Sequence, residues 1–254
     1  MQNYSPGPFR SRLSGSVAAL SGDAVLPFVR KVYLLLTAGI LFAAGGGLVA
    51  LYAGSPVVFE SRGATSAVPP VVAFELQHGF VMLALFFGAF FAASFARTRP
   101  GLNVAALFGF TFVTGLFLAP SIFIAQLAAT AGETLDPSPV RDAFLLSAIT
   151  FAGLTGYCFV TKRDFSFLGA ALSTGLWVVL GAGLLALLFH SSALSLASAS
   201  VGVILFAGYI LFDTSRILRA GGGDAVGAAL SLFLDVVNLF LSLLRILSSQ
   251  RRNG

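Results

Sequence analysis

Residues 228–247 read AALSLFLDVVNLFLSLLRIL, an almost unbroken apolar run with a carboxylate, Asp235, near its middle. At about 1.5 Å per residue such a helix spans the ~30 Å hydrocarbon core of a bilayer. An Asp at the centre of a membrane helix costs roughly 2.5–3.5 kcal/mol on insertion scales, so it faces the bundle interior or a water-filled cavity. Ser231, Asp235, Asn238, Ser242 and Arg245 recur at spacings of 4, 3, 4 and 3, which gathers the polar side chains on one stripe and leaves Leu, Phe, Val and Ile elsewhere. The stripe is expected to pack inward, with Asn238 one turn from Asp235 as a candidate hydrogen-bond partner. The serines read as interhelical hydrogen-bonding groups, each worth about 0.6–2 kcal/mol. Asp235 does not reduce to that role, because an Asn would bind helices together without the charge.

The rest of the chain agrees with a membrane setting. Hydrophobic residues make up 57% of the 254 and charged residues only 10%, far from the balance of a soluble domain. Seven apolar runs are long enough to span, at about 32–53, 79–96, 102–128, 143–160, 167–189, 194–212 and 225–244. The expected fold is therefore an all-α, polytopic membrane helical bundle of seven transmembrane helices. Its expected divisions are a cytoplasmic polar tail over 1–27, a membrane domain over 28–249 and a basic C-terminal tail over 250–254. The first 27 residues lack a continuous apolar core followed by a small-residue cleavage site, so they read as a retained tail rather than a signal peptide. Pro69 and Pro70 in SAVPPVV predict an extended surface loop over about 54–78, and Pro120 predicts a kink or break in the third span.

Basic residues mark the ends of spans rather than a nucleic-acid surface, despite a net charge of +5. Arg10, Arg12, Arg30, Lys31, Arg97, Arg99, Lys162, Arg163, Arg216 and Arg219 fall on one side, which the positive-inside rule makes cytoplasmic. The opposite loops hold Arg62 and Arg141 with Glu60, Glu133, Asp136 and Asp142. Arg245, Arg251 and Arg252 break the pattern if the last segment crosses and restore it if that segment re-enters without crossing.

The preceding span, VGVILFAGYILFDTSRIL, carries a second acid, Asp213, with Tyr209 one turn before and Arg216 one turn after. The short connection AGGGDA makes the two helices antiparallel, with the acids about 9 and 15 Å from the turn. A modest tilt or offset brings them together, and two such carboxyls titrate as a unit. The alternative for Asp213 is a helix-end residue paired with Arg216 or reaching to water.

LFDTSRIL (211–218), ALSLFLDVVNLFLSLLRIL (229–247), TKRDFSFLG (161–169) and FGFTFVTGLFLAP (108–120) resemble the Bax inhibitor family of membrane proteins, including its bacterial YccA branch, over about residues 28–249. The YccA branch carries other residues at the acid positions in some members, whereas this chain keeps Asp at both. The resemblance implies a central last helix surrounded by the other six, and a calcium-permeable leak whose opening responds to pH. It further implies that Asp213 and Asp235 form a hydrogen-bonded pair and that Arg97 contacts one of them; the alternative for Arg97 is a positive-inside anchor. A competing implication is a YccA-like modulator or substrate of a membrane-bound AAA protease, gripping the N-terminal tail.

The chemistry of the residues fits transient passage of calcium between Asp213, Asp235, Asn238, Ser231 and water better than a tight site, since Ca²⁺ takes six to eight oxygens. No resident cofactor is expected, calcium being the permeant ion, and the expected partners are membrane lipid, calcium and the protease, with no nucleic acid. An enzyme is not expected: there is no nucleophile elbow, P-loop or His-rich helix, and the acids lack the glycine-adjacent pattern of intramembrane aspartyl proteases. The expected location is the bacterial inner membrane, N-terminus inside.

Overall fold

The computed structural model describes residues 8–61, 64–128, 136–220 and 222–253, with side chains described from residue 25 onward except 59–66 and 251–253. Arg10, Arg12, Glu60, Arg62, Glu133, Arg251 and Arg252 thus lie outside the described side chains. Eight α-helices follow one another as α1 Pro8–Tyr52, α2 Pro70–Gln77, α3 Gly79–Ala96, α4 Leu102–Ala128, α5 Ser138–Thr161, α6 Gly169–Leu188, α7 Ser192–Ala220 and α8 Ala225–Asn253. Seven of them hold stretches long and apolar enough to cross a membrane, from Val25–Tyr52 in α1 to Ala225–Gln250 in α8. The chain is an all-α polytopic membrane bundle, and its surface agrees: Phe80, Val160, Trp177 and Ile204 point outward, as lipid-facing side chains do.

Two sequence expectations change here. The segment before α3 is not a plain extended loop: β1 (Val57–Ser61) pairs antiparallel with β2 (Ala64–Val68), register Val57↔Val68 to Ser61↔Ala64, and α2 begins directly at Pro70. Proline excludes helix interiors but suits the first helical position, where its missing N–H would have no partner anyway. The helix of α1 also reaches back to Pro8 and passes through Pro27, taking in residues that the sequence assigns to a polar tail. α4 is continuous through Pro120.

α8 is central, flanked directly by α7, α5, α1 and α4, while α3 packs outside on α4 and α6 outside on α7. The turns after α3, α5 and α7 lie at one end, here the basic end, which carries Arg97, Arg99, Lys162, Arg163, Arg216 and Arg219. Phe110 of α4 meets Phe233 of α8 edge-on at 6.1 Å, in a core with Val32, Leu36, Leu107 and Leu232.

In lipid, helices associate by close van der Waals contact, and small residues permit it. The α1–α4 crossing depends on this: a Cβ at Gly46 would collide with the Phe112 carbonyl, and one at Gly115 with the Ala43 carbonyl. Gly115→Ala should lower stability by about 3 kcal/mol through overpacking. Gly109→Ala on the same helix, where a Cβ meets nothing within 4 Å, should gain up to about 1 kcal/mol from helix propensity. Melting of both variants in detergent tests this; equal midpoints would show that the crossing tolerates a methyl group.

Candidate functional site

The connection into α8 is built from AGGGDA. Gly223 takes φ +116°, a conformation that favours glycine, and Asp224 caps the new helix, its Oδ1 accepting the Gly227 N–H at 2.8 Å. This tight reversal packs α7 against α8 along their length. A cavity of about 270 Å³ opens at this end, lined among others by Arg97, Asp213, Arg216, Asp224 and Ser231.

Asp213 and Asp235 are both buried, 8% and 7% exposed, and their side chains lie in hydrogen-bonding reach of one another. Asp213 borders the cavity; Asp235 sits behind it, and its Oδ2 has no hydrogen-bond partner. Arg216 is the cation whose field acts on Asp213. Arg97 lines the same cavity, but its ion pair is with Asp224, Nε to Oδ2 3.8 Å. Both partners are about half exposed, so the pair contributes little stability. The arginine thus stands beside the site and is held by the cap of α8 rather than by an acid of the pair.

The polar stripe on α8 is present but differently wired from the sequence expectation. The Asn238 amide donates to the Leu234 carbonyl at 2.8 Å and so turns back on its own helix, not to Asp235. Ser242 donates to the Asn238 carbonyl at 2.8 Å. Tyr209 lies beside Ser173 of α6, whose hydroxyl donates to the Gly169 carbonyl at 2.8 Å, and in the field of both acids. Beyond Asp235 the route along α8 is shut: Ile210 and Leu239 are fully buried, and Gly202 comes so close that a Cβ there would lie 2.7 Å from the Ser242 Oγ. Among the described residues no group of three or more His, Cys, Asp or Glu assembles.

Three features were not visible in the sequence. The hydroxyls of Tyr33, Thr155 and Thr214 face one another from α1, α5 and α7, and none has a partner at hydrogen-bond geometry. The segments 161–169 and 211–219 clasp one another: Arg219 pairs with Asp164 and donates to the Ser166 Oγ at 2.8 Å, while the Phe165 N–H points to the Ser215 Oγ at 3.4 Å. The third is Glu75 of α2, at the end opposite the basic one. It is 5% exposed, its Oε1 has no hydrogen-bond partner, and burial without a compensating charge pushes its carboxyl up to about 7. Its helix turns Glu75 inward together with Val72 and Ala73 and leaves Phe74 and Leu76 exposed. The available signal was a single acid in the apolar segment PVVAFELQ.

Comparison with known proteins bears on this arrangement. The family model described as inhibitor of apoptosis-promoting Bax1 matches residues 25–252. An uncharacterised protein of Campylobacter jejuni is 37% identical over 222 residues, covering 87% of this chain and 88% of the relative. Protein lifeguard 4 of Mus musculus is 33% identical over 98% of each chain, and the Golgi anti-apoptotic protein of Vaccinia virus is 32% identical over 91% of this chain and 89% of its own. With that match spanning all seven apolar helices, the chain belongs to the Bax inhibitor family of integral membrane proteins.

Proposed function

We propose that this protein is a pH-responsive, calcium-permeable leak of the bacterial inner membrane, non-enzymatic, with Asp213 and Asp235 sharing the proton that controls it. The observation that carries the reading is the cavity at the basic end that reaches Asp213, with Asp235 buried directly behind it and one of its oxygens unpartnered. A proton between two carboxyls holds them in a short, strong hydrogen bond. Its loss sets two charges against each other in a low-dielectric site and drives α7 and α8 apart. The contacts at Ile210, Leu239 and Gly202 that shut the route belong to those same two helices, apart from the side chains they meet. Two carboxylates, Ser231 and water form an incomplete oxygen shell, suited to an ion that must leave as readily as it enters.

The test is calcium flux into liposomes carrying the purified protein, read with an enclosed dye between about pH 6 and 8. A proton-coupled leak raises flux above protein-free liposomes and changes it with pH. Flux equal to that of protein-free liposomes throughout the range would sink the reading.

The orientation proposed is N-terminus inside, with the basic end cytoplasmic. Cysteines placed as Arg99→Cys, Arg163→Cys and Arg252→Cys in a Cys158→Ser background report it. Impermeant maleimide added outside intact cells should spare the first two and label the third, since α8 is long enough to cross. Labelling of position 99 or 163 would invert the topology.

A further inference from the structure

At the end opposite the aspartates a second cavity, of about 320 Å³, lies between α4, α7 and α8. Its polar lining includes Ser121, Ser192, Ser195, Arg245, Ser248 and Ser249, and no acid borders it. We propose that this cavity binds an anion bearing a phosphate group, as the free ion or as a phosphate ester.

The lining is unusual in leaving its donors unused. Serines inside these helices generally satisfy their hydroxyls on the carbonyl four residues back: Ser147, Ser173, Ser200 and Ser242 all do so at 2.7–2.9 Å. Around the cavity only Ser248 does, to Leu244. The hydroxyls of Ser121, Ser192, Ser195 and Ser249 make no hydrogen bond among the described residues, and Arg245 makes no ion pair among them. The described acids at this end, Glu75, Asp136 and Asp142, are not among the lining residues; Asp136 accepts from the Ser138 hydroxyl at 2.6 Å and Asp142 is paired with Arg141 at 3.0 Å. A guanidinium with several hydroxyl donors and no competing carboxylate suits a tetrahedral oxyanion, which accepts many hydrogen bonds at once and pairs bidentately with arginine.

The surroundings add to this. α7 begins at Ser192, so the positive end of its helix dipole lies beside the cavity, although Ser191 caps the first turn by accepting the Leu194 and Ser195 N–H groups. The volume falls at the lower end of the ~300–1,000 Å³ typical of ligand pockets. Arg245 lies ten residues beyond Asp235, about 15 Å further along α8, which puts it near the membrane surface where lipid phosphates sit. Anion binding also accounts for an arginine on the side that the positive-inside rule leaves poor in them. A cation site is excluded by Arg245, and a purely apolar ligand by the hydroxyls. Anion binding in this cavity is independent of the leak.

The experiment measures binding of dioctanoyl phosphatidic acid, and separately of inorganic phosphate, to the full-length protein in a non-ionic detergent by native mass spectrometry. Saturable binding is expected, weakened about tenfold by Arg245→Gln and several-fold by Ser195→Ala, with Arg245→Lys retaining part of it. Arg141→Gln, an exposed arginine at the same end, should leave it unchanged. Binding of inorganic phosphate as well as the lipid assigns a free-phosphate ligand; binding of the lipid alone assigns a headgroup. Either supports the site. Binding of neither probe, or equal losses in Arg141→Gln and Arg245→Gln, would overturn it, the second by reducing it to diffuse charge attraction. Because Arg245 is exposed, the Gln variant is expected to fold, and its melting midpoint checks this.

Discussion

Asp235→Asn should flatten the pH dependence of calcium flux. A path coupled to one shared proton changes by up to about tenfold per pH unit; with an amide in place of one carboxyl the change should fall below about twofold across roughly pH 6–8. The reason is local. Asp213 and Asp235 lie in hydrogen-bonding reach, and among the described residues the other titratable groups that act on them are Tyr209, a phenol, and Arg216, which stays charged. An Asn preserves the shape and can still hydrogen-bond, but it has no proton to release. Asp213→Asn should have the same effect on the slope, which separates loss of a shared proton from loss of one particular charge. A double Asn variant that melts normally and conducts with the unmodified pH profile would refute proton sharing while leaving a leak in place.

Glu75→Gln should change stability in a way that depends on pH. The folded protein holds the Glu75 carboxyl at about 7 against an ordinary 4.5. Over that interval the folded state therefore binds a proton that the unfolded state has lost. Stability contributed by Glu75 is complete below about 4.5, declines as pH rises towards about 7 and then stays level, with a total loss of about 3 kcal/mol. Gln cannot ionise, so the variant should lack this decline and stand about 3 kcal/mol above the unmodified protein at pH 8. The difference curve between the two isolates Glu75 from the aspartates, which both proteins share.

The packing around Glu75 supports assigning that curve to it alone. α2 rests on α1, α3 and α4. Neither α3 nor α4 carries an acid or a base in its helix, and the titratable group of α1 at this end is Tyr52, which is exposed. His78 stacks on Phe74 at 4.5 Å, on the exposed side of α2. Melting can be followed in detergent with a fluorogenic maleimide, because Cys158, the single cysteine, is buried and reacts on unfolding. Parallel curves for the two proteins from pH 4.5 to 8 would mean that Glu75 finds a partner or water in solution.

The sequence by itself determined the membrane class and the seven spans, to within eight residues of their ends, because hydropathy over ~20 residues is a property of one helix. Of the expected inward stripe on α8, Asp235 is buried, Ser231, Asn238 and Ser242 are half-buried and Arg245 is exposed. The family was legible too, and the clasp between Arg219, Asp164 and Ser166 shows why two of its segments belong together. Only the tertiary structure decided what each polar group meets. Asn238 turns to Leu234, Arg97 to Asp224, and Glu75 inward under an apolar face. The approach of Asp213 to Asp235 depends on the tilt and offset of α7 against α8, set by a reversal at Gly223 and a cap at Asp224. Periodicity says which face of a helix is buried. It does not say which neighbour covers that face, since the partner is chosen by close contacts such as Gly46 with Phe112 and Gly202 with Ser242, between residues far apart in the chain.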